Sequence, residues 1–179
     1  MSASIQPNAP FRADVVGSYL RPDKLKQARA DYAAGIIDAA GLKAVEDRLI
    51  ADLVAKQKAA GLQVITDGEF RRSYWHLDFM WGLNGIERRT SRTGYMFHDE
   101  ETTADTAVVT GSISGESHPF VEHFKFVKAL EGEGRVARQT IPAPIQTFSE
   151  VTLDRCDGQQ ESLRAVYKTD EELADAIAR

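Results

Sequence analysis

The sequence predicts an α/β fold with parallel strands. A β-prone run, Phe11-Arg12-Ala13-Asp14-Val15-Val16, opens the chain and breaks at Gly17-Ser18. Helical segments follow before a second β-prone run, Leu62-Gln63-Val64-Ile65-Thr66, which breaks at Asp67-Gly68. A strand–helix–strand order favours parallel pairing, because antiparallel strands can join by a tight turn whereas parallel strands need a long crossover. Composition agrees: 179 residues with 42% hydrophobic and 27% charged side chains suit an ordinary globular domain.

The elements read in order as follows. The first ten residues, rich in Ser, Ala, Pro and Asn, form a flexible lead-in, and residues 11–179 a single α/β domain. After the Gly17-Ser18 turn, Pro22 starts a helix in which Leu25, Ala28, Arg29 and Tyr32 recur at helical spacing, closed by Gly35. Asp38 caps the clearest helix, with Leu42, Val45, Leu49, Leu53 and Val54 as its apolar stripe and Glu46, Asp47 and Arg48 mostly off it. Gly61 stops it. Trp75, Phe79, Met80 and Trp81 lie in a short helix within Tyr74 to Gly82, and Ile86 to Ser114 alternates as an extended hairpin. Pro119 to Leu130 is helical, and Val136 to Ile141 is a strand stopped by Pro142-Ala143-Pro144. A capping box, Thr169…Glu172, opens the last helix.

Several function classes are disfavoured. The formal charge is −5, from 22 basic and 27 acidic side chains, so a sequence-independent nucleic-acid binder is not expected. There is no apolar run of about 18 residues, so no membrane partner is expected. The first residues lack a basic n-region and an apolar h-region, and the single cysteine, Cys156, has no partner for an internal disulfide. A cytoplasmic setting is the expectation. His118 and His123 are five apart, which does not place them on one helix face, so no metal site is expected from this chain alone. Cys156 has no evident base. Neither Gly111 to Gly115 nor Gly132-Glu133-Gly134 makes a phosphate-binding loop. The aromatic cluster from Tyr74 to Trp81 reads as core.

In a parallel sheet or barrel, residues just past the C-terminal strand ends line the site. Gly17 permits close backbone approach, Ser18 offers an amide and a hydroxyl, and Glu69 offers a carboxylate suited to an ammonium group. Arg71 and Arg72 are placed to hold an anion or tune Glu69, and Asp67 to orient the turn. Together they suit the two ends of an amino acid. The same residues also read as a plain turn with Glu69 paired to a surface arginine, and spacing alone leaves both open.

Phe11 to Pro22 resembles the opening of the cobalamin-independent methionine synthase family, in particular its single-barrel members related to the C-terminal catalytic domain. Gly61-Leu62-Gln63-Val64-Ile65-Thr66-Asp67-Gly68-Glu69-Phe70-Arg71-Arg72 is similar to its second block, and His118-Pro119-Phe120 and Ile141-Pro142-Ala143-Pro144 resemble later landmarks. The resemblance implies part of a (β/α)8 TIM barrel, its N-terminal half, with a hairpin-like excursion. It implies methyl transfer from a methyl-folate donor to the thiol of homocysteine, giving methionine, with zinc activating the thiol. It places substrate contacts at Val16, Gly17, Ser18 and Glu69. The family's zinc ligands, His, Cys, Glu and Cys, come from the other half of the barrel, so this chain is expected to supply the amino acid-binding half and no catalytic or metal ligand. A second chain or a second copy would then cover the open strand edges. Two other readings stand beside this one: a non-catalytic half that assembles with a zinc-carrying partner or with itself, and zinc-dependent alkyl transfer to another small thiol.

Overall fold

The computed structural model describes residue 15 and residues 17–98 and 100–179. The lead-in and nearly all of the first expected strand, including Val16, lie outside the described residues. The rest falls into two compact units, one of residues up to Arg72 with Val121–Thr140, the other of Ser73–Phe120 with Ile141–Arg179.

The first unit carries α1 (Asp23–Ala33), α2 (Ala39–Ala59) and β1 (Val64–Ile65). Pro22 sits at the N-cap of α1, so the helix begins at Asp23, one residue later than expected. Asp38 caps α2, its Oδ1 accepting from the Gly41 amide at 2.8 Å. More than half of α2 is Ala, Leu and Lys, strong helix formers. Leu49, Ile50, Leu53 and Val54 turn inward and meet Leu25 of α1, Ile65 of β1 and Phe70. Burying each such side chain contributes about 1.5–3 kcal/mol. Glu46 departs from expectation: it is buried on this face, since Arg71 reaches it with an ion pair at 3.1 Å.

The second unit holds α3 (Leu77–Met80) and a long antiparallel pair, β2 (Asn84–Thr90) with a later strand, Asp105–Ser114. Two short strands, β3 (Met96–Phe97) and β4 (Glu100–Glu101), pair between them, which makes the Asp105–Ser114 strand β5. The expected hairpin excursion is present. Next comes α4 (Pro119–Ala129), which passes into the first unit and adds Val127 to its core. There β6 (Val136–Ala137) pairs parallel with β1, in the register Val64↔Val136 and Ile65↔Ala137.

The second unit closes with α5 (Pro144–Thr152), α6 (Gln159–Val166) and α7 (Asp170–Ala178). The capping box at Thr169 and Glu172 is formed. Helices α5 and α6 have no counterpart in the sequence reading. The buried face of α5 includes Thr147 and Glu150 beside Val151, and α6 buries Gln159 with Leu163; at nine and eight residues both are too short for the apolar period to repeat often. Leu77, Met80, Ile86, Val109, Val151, Leu163 and Leu173 form this unit's core.

Candidate functional site

The candidate site starts where β1 ends. Thr66 no longer has a strand to pair with, and the buried Gln57 carboxamide of α2 takes over. Its Nε2 donates to the Thr66 carbonyl at 2.8 Å and its Oε1 accepts from the Thr66 amide at 3.0 Å. The next turn is then tied down by its own side chains. The Thr66 hydroxyl accepts from the Gly68 amide at 3.1 Å, and Asp67 Oδ1 accepts from the Glu69 amide at 2.9 Å.

This turn is left-handed at two consecutive residues, with φ of 64° at Gly68 and 57° at Glu69. A Cβ on residue 68 would lie 2.4 Å from Leu53 Cδ2 and 3.2 Å from the Tyr19 ring. Gly68→Ala is therefore expected to cost about 1–3 kcal/mol from backbone strain alone, with the clash added. Urea unfolding checks this, and a cost near zero would show that the turn is not held.

The turn presents Glu69 in a buried setting. The Thr140 hydroxyl donates to Glu69 Oε1 at 3.0 Å, and Arg72 Nη1 lies 3.5 Å from the same oxygen. Among the described residues, Oε2 receives no hydrogen bond. The side chains of Glu69 and Arg72 are 7% and 2% exposed, so this is a buried ion pair. Arg72 Nη2 also donates to the Thr140 carbonyl at 2.6 Å, which ties the end of β1 to the chain after β6. Arg21 donates to the carbonyls of Glu69 (3.2 Å) and Arg72 (2.8 Å), and Arg29 to those of Arg72 (2.9 Å) and Phe70 (2.5 Å). The Tyr19 amide donates to the Gly68 carbonyl at 3.1 Å, which brings the Gly17-Ser18 turn alongside.

Of the expected site residues, Asp67, Glu69 and Arg72 come together at the strand end. Gly17 (φ 93°) and Ser18 adjoin them, and no hydrogen bond of the described residues uses their amides. Val16 lies outside the described residues. Arg71 turns the other way, pairing with Glu46 and Asp47 of α2 and lying 5.4 Å from the Phe126 ring centre. Burial pushes the Glu46 carboxyl up despite the neighbouring Arg71. Burial acts the same way on Asp47, but hydrogen bonds from Lys43 and Arg71 outweigh it and hold Asp47 low. Thr140 and Arg21 were missed in the sequence. Thr140 directly precedes the Ile141-Pro142 landmark, the one cue that could have marked it.

The remaining candidates lie in the second unit. His118 uses both ring nitrogens, Nε2 at 2.8 Å from the Phe79 carbonyl and Nδ1 accepting from the Phe120 amide at 3.1 Å. Cys156 is buried, and burial pushes its thiol up, which disfavours the thiolate. Among the described residues, no three His, Cys, Asp or Glu side chains gather where they could hold a metal. The described residues thus do not fit the zinc that the resemblance implies.

His76 is buried against Trp75, with ring centres 4.6 Å apart, and its Nε2 lies 3.2 Å from the Tyr95 hydroxyl. Tyr95 in turn donates to Glu150 Oε2 at 2.5 Å. Burial lowers the His76 pKa below the ordinary 6.5, and Arg155 adds to this, while Glu150 and Asp78 pull it back up. The neutral form therefore stabilises the fold. That contribution is present above the unfolded value of 6.5 and is lost as pH falls towards the lower folded value. Thermal melts between about pH 5 and 7 should show this loss, and His76→Gln should flatten it. An unchanged slope in the variant would assign the loss to other groups.

Residues 11–154 match the family model described as the catalytic domain of cobalamin-independent synthase. The uncharacterized protein YxjG of Bacillus subtilis is 42% identical over 146 residues, covering 82% of this chain and 38% of its own length. YxjH of the same organism is 42% identical over 158 residues, covering 87% and 42%. The chain thus spans about two fifths of the length of these relatives. A crystal structure described as a vitamin-B12-independent methionine synthase from Listeria monocytogenes is 37% identical, with a TM-score of 0.71. It covers 95% of this chain, which covers 45% of it. A second, a B12-independent methionine synthase from a Shewanella species in complex with selenomethionine, is 22% identical with a TM-score of 0.56. It covers 79% of this chain, which covers 37% of it, and it shows the fold alone. The fold is α/β and corresponds to part of a TIM-barrel-like synthase, with no closed barrel among the described residues.

Proposed function

The chain belongs to the family of cobalamin-independent synthase catalytic domains, and from that membership we propose that its strand-end site holds the amino acid substrate of a methyl transfer. The substrate in this reading is homocysteine, and the donor is a 5-methyltetrahydrofolate-type molecule. The bond between methyl carbon and donor nitrogen breaks and a bond to the homocysteine sulfur forms, and the proton that the thiol loses is matched by one that the leaving donor nitrogen gains. This chain contributes the contacts to the amino acid end. Zinc activation of the thiol belongs to residues other than those described.

One observation carries the proposal. Glu69 is a buried carboxylate whose Oε1 is held by Thr140 and Arg72, while Oε2 receives no bond among the described residues. It stands at the C-terminal end of a parallel strand. An ammonium group supplies the donors that Oε2 lacks. The Gly17 and Ser18 amides, with the backbone at Val16, would receive the substrate carboxylate. Asp67 fixes the turn that orients Glu69, and Arg72 fixes the carboxylate itself. No helix of the described residues is long and apolar enough to cross a membrane, and we place the reaction in the cytoplasm.

Calorimetric titration of the purified chain tests this reading. L-homocysteine is expected to bind at least about tenfold more tightly than 4-mercaptobutanoate, which keeps the thiol and carboxylate but lacks the amine. Equal affinities would contradict the role of Glu69.

A further inference from the structure

We infer that Gln139 and Asp67 form a second polar clamp beside Glu69, with the Gln139 amide taking the carboxylate of an α-amino acid and Asp67 Oδ2 sharing its ammonium. The inference rests on the Glu69 reading above and names a residue that neither the family blocks nor the spacing singled out.

The register places the two together. Val64 pairs with Val136 and Ile65 with Ala137, and the last bond of the ladder runs from the Arg138 amide to the Ile65 carbonyl at 2.9 Å. Counting two further residues along each strand sets Asp67 opposite Gln139, just past the end of the sheet. Neighbouring strands lie about 4.8 Å apart, a span that one amino acid headgroup bridges.

Both side chains have unused polar atoms. Asp67 is 3% exposed, and while Oδ1 holds the Glu69 amide, Oδ2 is buried without a partner among the described residues. Gln139 is more extreme, since both its Oε1 and its Nε2 are buried without a partner among those residues. Native proteins satisfy the large majority of such atoms, so two unsatisfied side chains at facing positions call for a common explanation. A ligand headgroup with donors at one end and acceptors at the other supplies it.

The arginines beside the site are committed elsewhere. Arg21 and Arg29 donate to backbone carbonyls, Arg71 pairs with Glu46 and Asp47, Arg72 pairs with Glu69, and Arg138, next to Gln139, donates to the Val15 carbonyl. A ligand carboxylate is therefore assigned to uncharged donors. The Gln139 NH2 group is one, beside the Gly17 and Ser18 amides. Two carboxylates, Asp67 and Glu69, remain for the ammonium.

The test compares L-homocysteine with 3-aminopropane-1-thiol, which keeps the amine and thiol but lacks the carboxylate, on wild-type chain and on Gln139→Leu. The wild-type chain is expected to prefer homocysteine. Gln139→Leu is expected to shrink that preference by about tenfold while leaving affinity for the amine unchanged. Its melting temperature should match or exceed the wild type, because an unpaired amide is exchanged for an apolar group of similar size. If Gln139→Leu does not fold, Gln139→Met gives the same comparison. An unchanged preference, or no preference in the wild type, overturns the inference. Glu69→Ala separates the two readings. Weakening of both ligands by Glu69→Ala, with no change of preference in Gln139→Leu, rejects the clamp alone. No weakening by Glu69→Ala rejects the Glu69 reading itself. Binding of neither ligand by the wild-type chain rejects both.

Discussion

Glu69→Ala is expected to lower the affinity for L-homocysteine by tenfold to a hundredfold. A charge-assisted hydrogen bond contributes about 1.5–3 kcal/mol, and each 1.4 kcal/mol is a factor of about ten in affinity. The substitution also leaves the buried Arg72 without its carboxylate, so part of any loss would reflect a disturbed site. Glu69→Gln separates these effects. It keeps an oxygen for the Thr140 hydroxyl but removes the charge. Weakened binding with a smaller loss of stability than in Glu69→Ala is the expected pattern, read by calorimetry and thermal melting on the same samples. Homocysteine affinity within twofold of wild type in both variants would remove Glu69 from the site.

Arg72→Met is expected to destabilise the chain by about 3–5 kcal/mol. The guanidinium is 2% exposed and does two things at once: it neutralises Glu69 and it satisfies the Thr140 carbonyl at 2.6 Å. Methionine fills much of the volume but does neither. A buried carboxylate and a buried carbonyl are then left behind. Pairing the change with Glu69→Leu should recover part of the loss, because an apolar pair avoids the stranded charge. Arg71→Met should cost less, since Asp47, one of its two partners, has its side chain 27% exposed and is also served by Lys43. Urea unfolding measures all of these. A loss below about 1 kcal/mol for Arg72→Met would mean that water, not Arg72, screens Glu69.

The parts of the fold that were legible in the sequence are those where one local rule acts alone. Asp38, Gly61 and the Thr169–Glu172 box mark helix ends by capping chemistry, and each marks an end in the structure. The alternating residues from Ile86 to Ser114 announced the long antiparallel pair. Helices α5 and α6 were hidden because they are short, nine and eight residues, and polar side chains with tertiary partners share their inner faces with Val151 and Leu163. Glu150 takes the Thr106 hydroxyl at 2.7 Å and the Tyr95 hydroxyl, and Gln159 sits fully buried near the Ala107 and Glu150 carbonyls. Glu46 was assigned to the solvent side for the same reason: its partner Arg71 is 25 residues away.

The candidate site divides in the same way. Gly68 and Glu69 were visible as a turn after a strand, but which of the two neighbouring arginines meets Glu69 was not. The left-handed backbone at residues 68 and 69 decides this, sending Arg72 towards Glu69 and Arg71 towards α2. Thr140 and Gln139 lie just past β6, far along the chain, with Thr140 71 residues after Glu69. Only the parallel register brings them to the strand end, and no short-range pattern carries that information.

A crystal structure of the chain grown with L-homocysteine tests the central claim most directly. The account predicts the ligand ammonium within hydrogen-bond distance of the Glu69 carboxylate, at about 2.7–3.0 Å, with Arg72 still paired to Glu69 Oε1. Homocysteine bound elsewhere, with the Glu69 carboxylate still making only its Thr140 and Arg72 contacts, would contradict it.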